Sequence, residues 1–213
     1  MSGYADYKSI KVDKYPIHKV PVIRATAENF HEYGNFVQDY DQEKVMITPW
    51  PVSGHRPLMT GTGDQGGIAE GKFQYWREDR YMRAKSFAVQ GDYITGLIMT
   101  NENQTESTNI TVLNREANYH PDGGQVFYPI DKSPFILLLA LPTDDIKPED
   151  FTGFYFNGSQ GCQIKANVWH QPAYPIEEKA NFMTKQGKVH ACVGVDTIDE
   201  FKCWLGIELK EPL

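Results

Sequence analysis

Apolar and polar positions along this chain fall into short bursts bounded by turn residues. The stretches "YITGLIMT" (93–100), "NITVLNRE" (109–116), "QVFYPI" (125–130), "FILLLAL" (135–141), "GFYFNG" (153–158), "ANVWHQPAY" (166–174) and "VHACVGV" (189–195) are each rich in β-branched and aromatic residues. Gly, Pro, Asp and Asn separate them at fairly even spacing, which is the signature of short strands joined by tight reversals. The pattern predicts an all-β sandwich or barrel. Helical spacing occurs in two places only: "TAENFHEYG", where Thr26 starts a turn that Gly34 ends, and the acidic piece "KPEDFTGF". The segment 49–71 is rich in Gly and Pro and has no period, so it reads as a long loop. Together with "YWREDRYMRAK" it makes an inserted loop at about 50–85. Residues 1–213 are expected to form one domain.

Composition narrows the function classes. A chain of 213 residues, 40% hydrophobic and 13% aromatic, can bury a sizeable core. Its formal net charge of −7 argues against a nucleic-acid partner, which would need a basic face. Cys162, Cys192 and Cys203 are odd in number and form no CxxC pair, so neither a disulfide framework nor a zinc cluster is expected. The first residues lack an apolar signal stretch, and "FILLLAL" is too short to span a bilayer. These features predict a soluble, cytoplasmic protein with no membrane association. "GTGDQGG" lacks the flanking strand and helix of a phosphate-binding loop.

Candidate chemistry concentrates in "NREANYHPDGGQVFYPI" (114–130) and "GCQIKANVWHQP" (161–172). Strand alternation puts Glu116, Asn118 and His120 on one face, with Arg115 and Tyr119 on the other. In the second stretch alternation puts Lys165, Asn167 and Trp169 on one face and Ala166, Val168 and His170 on the other. A bulge near Pro172 would shift that register, so the side taken by His170 stays open.

"HPDGGQVFYPI", "FILLLAL" and "NGSQGCQIKANVWHQP", in this order and spacing, resemble the ureidoglycolate lyase family, a branch of the cupin barrels. "VPVIRATAENFHEYGNFV" is similar to that family's opening strand and F-x-x-YG turn. The resemblance implies a jelly-roll type, cupin-like double-stranded β-barrel with minor helices, assembled as a homodimer. It implies elimination of urea from ureidoglycolate, a small anionic metabolite, to give glyoxylate in purine and allantoin catabolism.

The same resemblance suggests a pocket. The positions of the cupin metal motif hold Asn118, His120, Gln125 and His170. Two imidazoles and two amides make weak donors for a divalent ion, so no cofactor is firmly expected, with His120, His170 and Gln125 as weak metal candidates. Collapse of a hemiaminal needs a base for the hydroxyl proton, an acid for the departing nitrogen and a partner for the carboxylate. His120 and His170 suit the proton transfers, and Glu116 suits orientation of a histidine or base work. Lys165 or Arg83 suits the carboxylate, while Asn167, Gln125 and Asn118 suit the ureido group. The chain departs from the family pattern at Asn118, Lys165, Ala166 and Gln171, where substrate contacts are expected. A non-catalytic cupin-type binding protein and a sugar-acid isomerase or epimerase use the same barrel and remain open.

Overall fold

The computed structural model describes residues 6–47, 56–60, 67–100, 110–188 and 192–213. In chain order its strands begin with β1 (Ile17–Lys19), β2 (Val22–Arg24), β3 (Gly34–Val37), β4 (Ile68–Glu78), β5 (Tyr81–Ser86), β6 (Gly91–Thr100), β7 (Ile110–Asn114), β8 (Glu116–Tyr119) and β9 (Gln125–Pro129). They continue with β10 (Phe135–Ala140), β11 (Thr152–Phe156), β12 (Gly161–Ile164), β13 (Trp169–His170), β14 (Tyr174–Pro175), β15 (Lys179–Gly187), β16 (Val193–Asp196) and β17 (Trp204–Glu208). Two short helices, α1 (Ala27–Phe30) and α2 (Thr197–Phe201), are attached to the sheets. The expected all-β class is what the structure shows. Among the described residues no helix is long and apolar enough to cross a membrane.

The strands form two sheets that face one another. The larger runs β1-β17-β7-β6-β5-β4-β15-β9-β12-β3, and the smaller runs β16-β8-β13-β10-β11-β2, with β14 paired to β10. Among the described residues these are two open paths, as in a sandwich, and not one closed barrel.

β10 explains why "FILLLAL" shows no alternation. Ile136, Leu138 and Ala140 pack in one apolar cluster, and Phe135, Leu137 and Leu139 pack in another. A strand buried on both faces is apolar at every position.

The inserted loop expected at about 50–85 is corrected by the structure in its second half. Residues 48–55 and 61–66 lie outside the described residues. From Ile68 the chain forms a hairpin, β4 with β5, whose Ala69, Phe73, Tyr75, Met82 and Ala84 are buried. The turn rests on Asp79 at φ 53, a left-handed conformation reached here without glycine or asparagine. Its charged flanks face outward and hide the alternation.

α1 begins as the sequence predicts. Thr26 accepts from the Asn29 N–H while the Asn29 side chain accepts from the Thr26 N–H, a reciprocal cap. "KPEDFTGF" makes only a short 3-10 turn at Pro148–Asp150. α2 was not expected; Asp196 caps it by accepting from the Ile198 and Asp199 N–H groups. Gly34, the last residue of the F-x-x-YG turn, pairs with Ile164. A Cβ there would land on the Gln163 carbonyl oxygen, so only glycine lets β3 lie against β12.

Candidate active site

Between the sheets lies a cavity of about 340 Å³. The larger sheet supplies Phe73, Ser86, Gln125 and Gln186, and the smaller supplies Glu116, Asn118 and His170. His120, just beyond β8, and Cys192, just before β16, complete the polar wall. In β8 the alternation holds. Tyr119 turns away and packs edge-on against Trp169, with ring centroids 4.7 Å apart.

His120 and His170 are both buried, and their ring centroids are 4.9 Å apart. His170 Nδ1 lies 2.9 Å from the Val168 carbonyl oxygen. A carbonyl only accepts, so the proton sits on Nδ1 and the neutral ring has its lone pair on Nε2. Nε2 in turn lies 3.2 Å from Gln125 Oε1. Two acceptors cannot share that contact without a proton. Either the ring is an imidazolium, or the Gln125 amide is turned so that its N–H donates to Nε2 and its oxygen accepts from the Thr184 hydroxyl.

His120 Nδ1 lies 3.3 Å from Cys192 Sγ. Burial, and then the Asp122 carboxylate nearby, push the Cys192 thiol well above its ordinary range. The thiol therefore keeps its proton, donating to Nδ1 when the ring is neutral, while the sulfur accepts when the ring is protonated.

The end of β12 at Ile164 decides the open question about His170. β12 belongs to the larger sheet and β13 to the smaller, and between them Asn167 adopts φ 66 in a turn. The stretch "KANVWH" is not one strand, and alternation does not run through it. His170 faces the cavity. Lys165 does not: it is exposed and its Nζ donates to the His31 carbonyl at 2.7 Å. Asn167 stands outside the cavity lining, where its backbone N–H donates to the His120 carbonyl at 3.1 Å. Arg83 is also elsewhere, between Glu78 and Asp92 and over the Trp76 ring. These three expected substrate contacts thus lie outside the cavity lining. Among the described residues that line the cavity there is no Lys or Arg.

Asp196 borders the cavity but is committed. Its carboxylate takes both arms of the Arg115 guanidinium, at 3.2 and 2.5 Å, while capping α2. Arg115 also donates to the Asp6 carbonyl, and its backbone N–H donates to the Tyr7 hydroxyl. This partly buried ion pair fixes the wall behind Glu116.

Residues missed in the sequence include Ser86, Gln186 and Cys192. Nothing in "KSFAVQ", "TKQGK" or "HACVG" marks them. They reach the cavity only because β5, β15 and β16 take their places in the sheets. The cupin-type donor set fits a divalent ion poorly. Both His170 nitrogens face protein groups, and no cluster of three His, Cys, Asp or Glu side chains able to hold an ion occurs among the described residues.

Comparisons with known proteins identify the family. The family model described as ureidoglycolate lyase matches residues 17–200. Ureidoglycolate lyase from Azotobacter vinelandii is 36% identical over 64 residues, covering 30% of this chain and 39% of that protein. Ureidoglycolate lyase from Escherichia coli (strain K12 / DH10B) is 30% identical over 82 residues, covering 38% of this chain and 51% of that protein. The Shigella boydii protein of the same name matches to the same extent. The chain spans about half the length, or less, of the curated relatives it matches. With the match extending over most of its residues, the chain belongs to the ureidoglycolate lyase family.

Proposed function

We propose that this chain is a carbon-nitrogen lyase that converts ureidoglycolate to urea and glyoxylate. The observation that carries the reading is the pair of buried imidazoles in a polar cavity of a chain from this family. The substrate is a hemiaminal. Its hydroxyl loses a proton as the C=O bond forms, the C–N bond breaks, and the departing nitrogen gains a proton, so no electrons enter or leave.

His170, with its proton held at Nδ1 by the Val168 carbonyl, serves as the base for the hydroxyl proton when the substrate hydroxyl displaces Gln125 from Nε2. His120, at the adjoining position, delivers a proton to the ureido nitrogen. Glu116 faces the same space and balances the charge that forms on the imidazoles. The substrate carboxylate meets neutral donors such as Ser86 and Gln171 together with protonated His120. No step requires a metal. The reading extends to purine and allantoin catabolism and to a homodimer. It also extends to a reducing, cytoplasmic setting, which the three thiols outside any disulfide support.

The test is release of urea and glyoxylate from ureidoglycolate by the purified chain, against a buffer blank. Turnover above the spontaneous rate is expected. Equal rates would return the chain to the non-catalytic binding reading.

A further inference from the structure

Two buried amide atoms at the cavity, Asn118 Oδ1 and Gln186 Nε2, have no hydrogen-bond partner among the described residues. An orphaned polar atom in an interior works against folding, and its retention points to a partner that arrives with a ligand. The strand register relates these two atoms. Gln186 stands opposite Gln125, and Asn118 stands opposite His170. Gln125 and His170 meet across the gap between the sheets. Cross-strand neighbours hold their Cβ atoms roughly 4.5–5.5 Å apart. Gln186, Gln125, His170 and Asn118 therefore form one row spanning both sheets, with the two orphans at its ends. A third such atom, Ser86 Oγ, lies two strands away from β15, on β5, and outside the row.

One end of the row offers a donor and the other an acceptor. Turning both amides end for end exchanges the two ends and keeps one donor and one acceptor facing the cavity. A carboxylate has acceptors only and would leave the acceptor end of the row unmet. A carbamoyl group has a carbonyl oxygen and N–H donors together, which is the complement of this row. We infer that Asn118 and Gln186 form a subsite that reads the carbamoyl end of a ureido acid. The Gln186 amide donates to the ureido carbonyl, and Asn118 Oδ1 accepts from a ureido N–H. The choice of ureido acid rests on the lyase reading above, but recognition is measured here as binding, without turnover.

The experiment titrates the full chain with ureidoacetate, which keeps the carbamoyl and carboxylate groups but lacks the hydroxyl, and with glycolate, which lacks the carbamoyl group. The natural chain should bind ureidoacetate more tightly. Gln186→Met and Asn118→Leu, close in shape to the natural residues, should each weaken ureidoacetate about 10- to 100-fold and leave glycolate within about threefold. Both variants should melt no lower than the natural chain, because each removes an orphaned group. Should either unfold, Gln186→Glu, which keeps the shape but replaces the donor, gives the same comparison. A natural chain that does not prefer ureidoacetate, or variants that weaken both ligands alike or neither, would overturn the assignment. Turnover with the wrong binding pattern removes the subsite and keeps the lyase; the right pattern without turnover does the reverse.

Discussion

Gln125 Oε1 and His170 Nε2, 3.2 Å apart, join the two sheets at the middle of the cavity. Gln125 is held from its other end by Thr184 at 3.1 Å, so the contact ties the imidazole to the larger sheet. Gln125→Leu removes a partner from both groups. We expect a loss of about 1–3 kcal/mol, read as a lower denaturant midpoint with an unchanged slope. An unaltered midpoint would mean that the sheets do not depend on this link.

Replacing either imidazole should act on turnover. His120→Asn and His170→Asn are each expected to lower kcat by about two to four orders of magnitude, the usual worth of a positioned acid or base. Steady-state rates for folded variants, with native circular dichroism as the control, check this. A loss below tenfold for His170→Asn would remove it from the role of base.

Lys165→Met and Arg83→Met should leave KM for ureidoglycolate within about twofold. Lys165 reaches the His31 carbonyl and Arg83 reaches Glu78 and Asp92, all away from the cavity lining. Surface pairs of this kind contribute little, so stability should change by less than about 1 kcal/mol. A tenfold rise in KM for either variant would place that cation at the substrate.

Asp196→Ala should be the most destabilising of these changes. It leaves the Arg115 guanidinium, whose side chain is 9% exposed, without its carboxylate and takes the cap from α2. Asp199 still lies 3.9 Å from the guanidinium and the pair is only partly buried, so the lost charge-assisted bonds and cap together cost about 2–4 kcal/mol. Thermal unfolding should show a clear drop in Tm. A variant that melts with the natural chain would show that the pair is not needed.

Alkaline solution should loosen the fold. Burial raises the phenols of Tyr7, Tyr75 and Tyr174 and the thiols of Cys162 and Cys192 above their ordinary values. In the unfolded chain these groups lose protons from about pH 8.5–10, whereas the folded chain retains them. Their contribution is complete below that range and declines as pH rises through it. Denaturant midpoints should fall steadily from pH 8 to 10.5. A flat profile would contradict the burial of these groups.

The strands from β6 to β11, with β13, β14 and β16, were legible because their apolar residues alternate or run together between turn residues, whereas β15 and β17 were not read as strands. Thr26 announced α1 by its side chain. α2 was hidden, since it ends at Lys202 with φ 56 and has no glycine to mark its end. The hairpin of β4 and β5 was hidden by the charges around Asp79 and by the Gly-rich stretch before it. In the site, Glu116, Asn118 and His120 followed from one strand's alternation. Lys165 and Asn167 were misplaced because a turn, and not a strand, joins β12 to β13. Gln186 carries no local signal at all: its relation to Gln125 exists only in the pairing of β15 with β9.

The parallel pairing of β1 with β17 sets an order on folding. Ile17 registers with Trp204 and Lys19 with Gly206, so this edge of the larger sheet cannot form until nearly all of the chain has left the ribosome. β2 likewise waits for β11, with Val22 registered against Gly153. Closing such long loops is entropically slow, and the strand edges left bare in the meantime can pair with other chains. Nascent chains stalled before β17 should therefore be the stage at which this protein most needs a chaperone.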